Sequence, residues 1–108
     1  MTARVATALR LPPEAIPEYT RRHEQMDDDI RRSILDNGAR SLSIFAAREF
    51  GVVVMVVELD DVDAWTAAAE TELTRRWWAY MSQIMPTNDD LSPIATELPL
   101  LFHLEDSR

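Results

Sequence analysis

Two hydrophobic periods alternate along this chain. Over residues 4–11, Val5, Thr7, Leu9 and Leu11 alternate with Arg4, Ala6, Ala8 and Arg10. That period of two belongs to a strand with one face toward a core. Pro12-Pro13 closes the strand and opens a helix, because proline is tolerated in a first turn. From Ile16 the spacing lengthens. Ile16, Tyr19, His23, Met26, Ile30 and Ile34 fall on one face of a single long helix, with most of the charges elsewhere. Asn37-Gly38 is its stop signal. Period two returns over residues 40–46, where Leu42 and Ile44 oppose Ser41, Ser43 and Phe45. Arg48-Glu49-Phe50-Gly51 reads as a hairpin connection. The β-branched run over residues 52–59 reads as a central strand covered on at least one face.

The second half repeats the order. Asp60-Asp61-Val62-Asp63 supplies a capping carboxylate and an acidic first turn. A helix follows through Trp65, Ala68 and Leu73, with a break near Glu70-Thr71, and runs into Arg75-Arg76-Trp77-Trp78-Ala79-Tyr80-Met81 and on to Met85-Pro86. A turn-rich loop covers residues 87–93. A last strand is expected over residues 98–104, interrupted by Pro99 and therefore at an edge or a bulge. Strand, helix, strand, strand, helix, strand is the split βαβ order of ferredoxin-like α+β folds. Such a fold places a four-stranded antiparallel sheet under helices on one face. The bare face left over is most cheaply covered by a second copy, so a homodimer is expected.

Composition narrows the classes of function. The chain has 108 residues, which suits one domain, and a formal net charge of -8. That charge opposes nucleic acid and anionic membrane surfaces as partners. There is no cysteine, hence no disulfide, thiolate nucleophile or cysteine metal site. No leader or spanning segment is recognisable, and a cytoplasmic protein is the default expectation. With Gly38 and Gly51 as the only glycines, no glycine-rich phosphate loop can form.

The candidate chemistry gathers on the two helices. Adjacent tryptophans lie about 100° apart on a helix, so Trp77 and Trp78 cannot share one face. One can enter the core while the other points elsewhere. The segment is either the bulk of a small core or the flat surface of a ligand site. His23 sits in the apolar row with Tyr19 one turn before it. A lone histidine there is more often a hydrogen-bonded core residue than a catalyst. The neighbouring phenol and an unperturbed imidazole pKa of about 6.5 favour proton exchange at neutral pH. Asp27-Asp28-Asp29 with Arg31-Arg32 reads first as a solvated helix face, and second as a carboxylate from Asp27 reaching a pocket beyond His23. No histidine stands near that run at metal-ligand spacing. His103 is expected in strand-edge packing. General acid–base catalysis fits these residues better than covalent or metal chemistry.

The chain also resembles the L-rhamnose mutarotase family over residues 4–104. The resemblance rests on Tyr19-Thr20-Arg21-Arg22-His23, Asp36-Asn37-Gly38-Ala39, Met55-Val56-Val57-Glu58 and Trp65. It rests most of all on Arg76-Trp77-Trp78-Ala79-Tyr80-Met81 with Met85-Pro86 and Ser92-Pro93. It implies a dimeric ferredoxin-like α/β barrel that interconverts the anomers of a 6-deoxyhexose without metal or cofactor. It also implies His23 as the proton donor and Tyr19, Trp77 and Trp78 as sugar-binding groups. Two positions depart from the family pattern. Leu42 stands where a second sugar-binding tyrosine is usual, and Met26-Asp27-Asp28-Asp29 replaces an apolar-Trp-Pro-Glu segment. The departures open two alternatives: a different, less polar substrate on the same scaffold, or a non-enzymatic dimeric module whose pocket is filled.

Overall fold

The computed structural model describes residues 2–106. The elements are β1 (Ala3–Arg10), α1 (Ile16–Glu24), α2 (Asp28–Asp36), β2 (Ala39–Ala47), β3 (Val52–Leu59), α3 (Val62–Ala68), α4 (Glu72–Met81) and β4 (Ala95–Leu98). Short 3₁₀ turns at Pro13–Ala15 and Arg48–Phe50 join β1 to α1 and β2 to β3. The strands form one sheet in the order β2-β3-β1-β4, with every pairing antiparallel. This is the ferredoxin-like α+β arrangement that the order of elements predicts.

Register decides which residues face the helices. Val5 pairs with Val57, Thr7 with Met55 and Leu9 with Val53 across β1 and β3. Leu42 pairs with Val57 and Ile44 with Met55 across β2 and β3. Side chains at directly paired positions share a face, so this set forms one inner surface. Leu9, Leu11 and Val53 pack there with Tyr19, Met81 and Met85. A second cluster, Ala39, Val57 and Leu59, gathers Ile34, Leu42, Met55 and Trp65 around it. The outer surface carries Ala6, Ala8, Phe45, Val54 and Val56 between the polar Arg4, Ser43 and Glu58. Phe45 there is 61% exposed.

Gly38 fixes how α2 hands over to β2. Its φ is +93°, and a Cβ on it would lie 2.6 Å from the Asp61 carbonyl oxygen. The turn before α3 therefore packs directly on the end of α2, and the Asp60 N–H donates to the Gly38 carbonyl at 2.8 Å.

Two expectations need correction. The long helix from Ile16 is two helices, interrupted at Gln25-Met26-Asp27. Asp27 has extended angles and stands just before α2. The last strand occupies Ala95–Leu98 rather than residues 98–104. Pro99 lacks the N–H that would extend the ladder, so pairing stops before it. Beyond it Leu100, Leu101, Phe102 and Leu104 are exposed and belong to no strand. His103 therefore lies outside β4, and its Nε2 accepts from Nη1 of Arg4 on β1 at 3.2 Å. The expected break near Glu70-Thr71 is present between α3 and α4, and β4 does lie at the sheet edge. Among the described residues no helix is long and apolar enough to cross a membrane.

Candidate functional site

The inner sheet face and the four helices enclose a cavity of about 410 Å³. It is not filled by side chains. From α1 it takes Tyr19 and His23, from α2 Ile30, Ser33 and Ile34, and from β2 Leu42 and Ile44. Trp65 of α3 and Leu73, Thr74, Trp77, Trp78 and Met81 of α4 close the far side. Both adjacent tryptophans reach this cavity, because it wraps round α4 widely enough to meet two neighbouring rows.

His23 sits at the aromatic end. Its ring centroid is 4.3 Å from that of Tyr19 and 5.2 Å from that of Trp77, which meets it edge-on at 84°. His23 Nδ1 lies 2.8 Å from the Tyr19 carbonyl oxygen. A carbonyl can only accept, so Nδ1 carries the proton and Nε2 is the free nitrogen of the neutral ring. Burial is the main influence on its pKa and lowers it below the ordinary value. The nearby Arg31 charge acts in the same direction, and the Tyr19 carbonyl acts against it. Burial pushes the Tyr19 phenol up to about 12, so it stays protonated at neutral pH. No side-chain nitrogen or oxygen among the described residues is both enclosed and unpartnered. The Tyr19 hydroxyl has no partner among the described residues, and Tyr19 lines the cavity.

Two arginines hold the histidine in place. Arg22 Nε donates to Glu18 at 2.7 Å, and its Nη1 donates to the Tyr80 carbonyl at 2.7 Å. The same guanidinium lies 4.1 Å from the centroid of the Tyr80 ring. A cation on a carbonyl near the C-terminal end of α4 and over an aromatic face is doubly favourable, and it locks α1 against α4. Arg21 and Arg22 together hold the Glu18 carboxyl down to about 2. Arg31, on α2, acts on the helix break. Its Nε donates to the Met26 carbonyl at 3.1 Å, and its Nη2 to those of His23 at 3.0 Å and Glu24 at 2.9 Å. Carbonyls at a helix C-terminus lack intrahelical partners, and one planar guanidinium gathers the last two of α1 together with the Met26 carbonyl of the break.

Of the residues singled out from the sequence, His23, Tyr19, Trp77, Trp78 and Leu42 come together around the cavity. Asp27 does not. It is exposed and lines a neighbouring groove with Arg22, Gln25, Asp29 and Arg76. The reason is the helix break, which puts Asp27 at the start of α2 with its carboxylate beside the positive end of the helix dipole. Sequence reasoning missed three residues. Arg22 and Arg31 read as surface charges, and their targets are backbone carbonyls that leave no trace in a sequence. Thr7 read as a position in a strand, yet it lines the cavity; its place on the inward row was the available signal. Among the described residues no group of histidine, cysteine and carboxylate side chains could hold a metal ion.

Comparison with known proteins adds the last observation. A family model described as L-rhamnose mutarotase matches residues 4–104. An L-rhamnose mutarotase of Tolumonas auensis is 38% identical over 101 residues, covering 94% of this chain and 97% of its own. One from Ligilactobacillus salivarius is 33% identical over 108 residues, covering 97% and 100%. The crystal structure of an L-rhamnose mutarotase from Formosa agariphila superposes with a TM-score of 0.85 at 27% identity, covering 95% of this chain and 99% of the other. The chain belongs to the L-rhamnose mutarotase family.

Proposed function

We propose that this protein interconverts the α and β anomers of a 6-deoxyhexose, and that His23 moves the proton. The observation that carries this reading is the pinned imidazole. Nδ1 donates to the Tyr19 carbonyl, which leaves Nε2 free on a ring lining an open cavity. In the proposed cycle Nε2 takes the proton of the anomeric hydroxyl as the bond from the anomeric carbon to the ring oxygen breaks. The electron pair of that bond goes to the ring oxygen. The imidazolium then hands the same proton to that oxygen and leaves the open-chain aldehyde. Rotation of the carbonyl and the reverse steps close the ring on the other face. Both oxygens are bonded to one carbon, so a single nitrogen reaches both. The neutral Tyr19 phenol hydrogen-bonds a sugar oxygen, and the Trp77 and Trp78 indoles meet the C–H faces of the ring. Leu42 bounds the far end of the sugar site.

Under this reading the protein works as a homodimer joined through the outer sheet face. The apolar middle of that face and the exposed Phe45 support it, and sedimentation at micromolar concentration tests it: a monomer there would refute it. The catalytic reading is tested by NMR saturation transfer between the two anomeric protons of L-rhamnose. Transfer should rise in proportion to protein concentration. Exchange no faster than in buffer would overturn it.

A further inference from the structure

We infer that the preferred substrate is a 6-deoxyhexose whose hydroxyls remote from the anomeric carbon are capped as ethers; this rests on the mutarotase reading above. Open hydrogen-bonding groups gather at one end of the cavity. Six hydroxyl or imidazole side chains line the cavity: Thr7, Tyr19, His23, Ser33, Thr74 and Ser92. Half of them are engaged within the protein. The Ser33 hydroxyl accepts from Asn37 at 3.2 Å. Thr74 donates to the Ala68 carbonyl at 2.9 Å and accepts from Thr71 at 3.0 Å. Ser92 donates to Asp90. Thr7 Oγ1, Tyr19 Oη and His23 Nε2 have no partner among the described residues. Tyr19 is only 5% exposed, so its unpaired hydroxyl is a built anchor rather than a surface group.

These three open groups belong to β1 and α1. The other end of the cavity is hydrocarbon except for the Ser33 hydroxyl on α2. Leu42 and Ile44 lie on β2, two strands from Thr7 in the sheet order, a separation of about 10 Å. Ile30, Ile34 and Met55 continue that surface. The remaining polar groups are the indole N–H groups, which can donate but not accept, and the Ser33 hydroxyl, whose one open lone pair cannot serve every hydroxyl of a sugar's far end. An ether oxygen needs only a donor. A free hydroxyl also needs an acceptor for its proton, and a buried hydroxyl without one is penalised. The anomeric end of a deoxyhexose is therefore served by Thr7, Tyr19 and His23, and its far end fits methyl ethers better than free hydroxyls. The volume suits this, since 410 Å³ lies in the range of about 300–1,000 Å³ that houses molecules larger than a bare monosaccharide.

Anomer exchange of L-rhamnose and of 3,4-di-O-methyl-L-rhamnose, measured by NMR exchange spectroscopy, tests the inference. The ether should be favoured at least about tenfold in kcat/KM, the order that extra apolar groups command in a fitted pocket. Leu42→Tyr adds a hydroxyl at the far end and should bring the ratio toward unity. Ile44→Thr, which adds no bulk, does the same if the tyrosine variant fails to fold. Equal or faster exchange of the free sugar by the wild-type protein would overturn this inference and leave the mutarotase reading standing. No acceleration of either sugar would overturn both.

Discussion

The two ends of the cavity are built on opposite principles. The α1 end presents a few polar atoms around a histidine held by successive contacts: His23 by the Tyr19 carbonyl, its turn by Arg31, and the helix by Arg22. The β2–β3 end presents hydrocarbon in paired register, Leu42 beside Val57 and Ile44 beside Met55. Orientation at the first end costs desolvation, visible as the lowered His23 and raised Tyr19 pKa values. Packing at the second end is where stability is gained. Chemistry and stability are thereby assigned to different walls of one cavity, and substitutions should separate them.

The largest effect is expected at the first wall. His23→Ala should reduce anomer exchange by about 10²–10⁴-fold, the range for loss of a general acid–base group. Thermal stability should change little, because the side chain is only half buried. A variant with full activity would end the assignment of His23. At the second wall the pattern should invert. Met55 is half buried and already borders open space. Met55→Ala should cost about 1–2 kcal/mol, at or below the low end for such truncations. For a domain of this size that lowers Tm by roughly 4–15 °C. Exchange under saturating sugar should persist within about threefold, since no oriented donor is lost. Calorimetry and NMR on the same two variants test whether the walls are independent.

A third, intermediate effect tests what orients the first wall. Arg31→Lys keeps the charge but cannot span three carbonyls. We expect kcat to fall about tenfold with KM little changed, because the imidazole is displaced rather than removed. Equal losses in Tm and kcat for any substitution at Arg31 would mean that it only staples the helices.

The same contrast explains what the sequence disclosed. The hydrocarbon wall was legible almost in full. Residues 4–11, 40–46 and 52–59 alternate or run apolar, and each became a strand in the expected order. The break at Thr71 was legible because Thr71 has a local capping role; its Oγ1 accepts from the Thr74 N–H at 3.3 Å. The break at Gln25-Met26-Asp27 was not. Tyr19, His23, Met26, Ile30 and Ile34 all still face one cavity across it, so the apolar period runs through the interruption unchanged. The acidic run Asp27-Asp28-Asp29 was the available signal for a second helix start. The fourth strand was misplaced for a different reason. Its sequence, Ala95-Thr96-Glu97-Leu98, is poor in β-formers, and pairing with Ala6–Leu9 of β1 decides its position. Tertiary register outweighed propensity there.

The smallest effect expected is a shift in a pH profile, and its sign follows from which form of His23 works. The proposed cycle begins with a neutral imidazole, so kcat/KM should fall as pH drops and Nε2 becomes protonated. Burial lowers the His23 pKa, which places this acid limb below the ordinary value of about 6.5. Tyr19 should remain neutral throughout, since its pKa is pushed up to about 12. Stability should follow the same direction. Between the unfolded value and the lower folded value, the unfolded chain binds more protons, so this group's contribution rises with pH across that window and is complete above it. Arg31 is the cation whose field presses on His23, and its guanidinium donates to the His23 carbonyl. Arg31→Gln removes that charge, so the acid limb should move upward, toward the ordinary imidazole value. Arg31→Lys keeps the charge and should leave the limb close to its wild-type position while still lowering kcat. A downward shift in the glutamine variant would show that the Arg31 charge does not act on the working nitrogen. An unmoved limb would confine Arg31 to holding the break between α1 and α2.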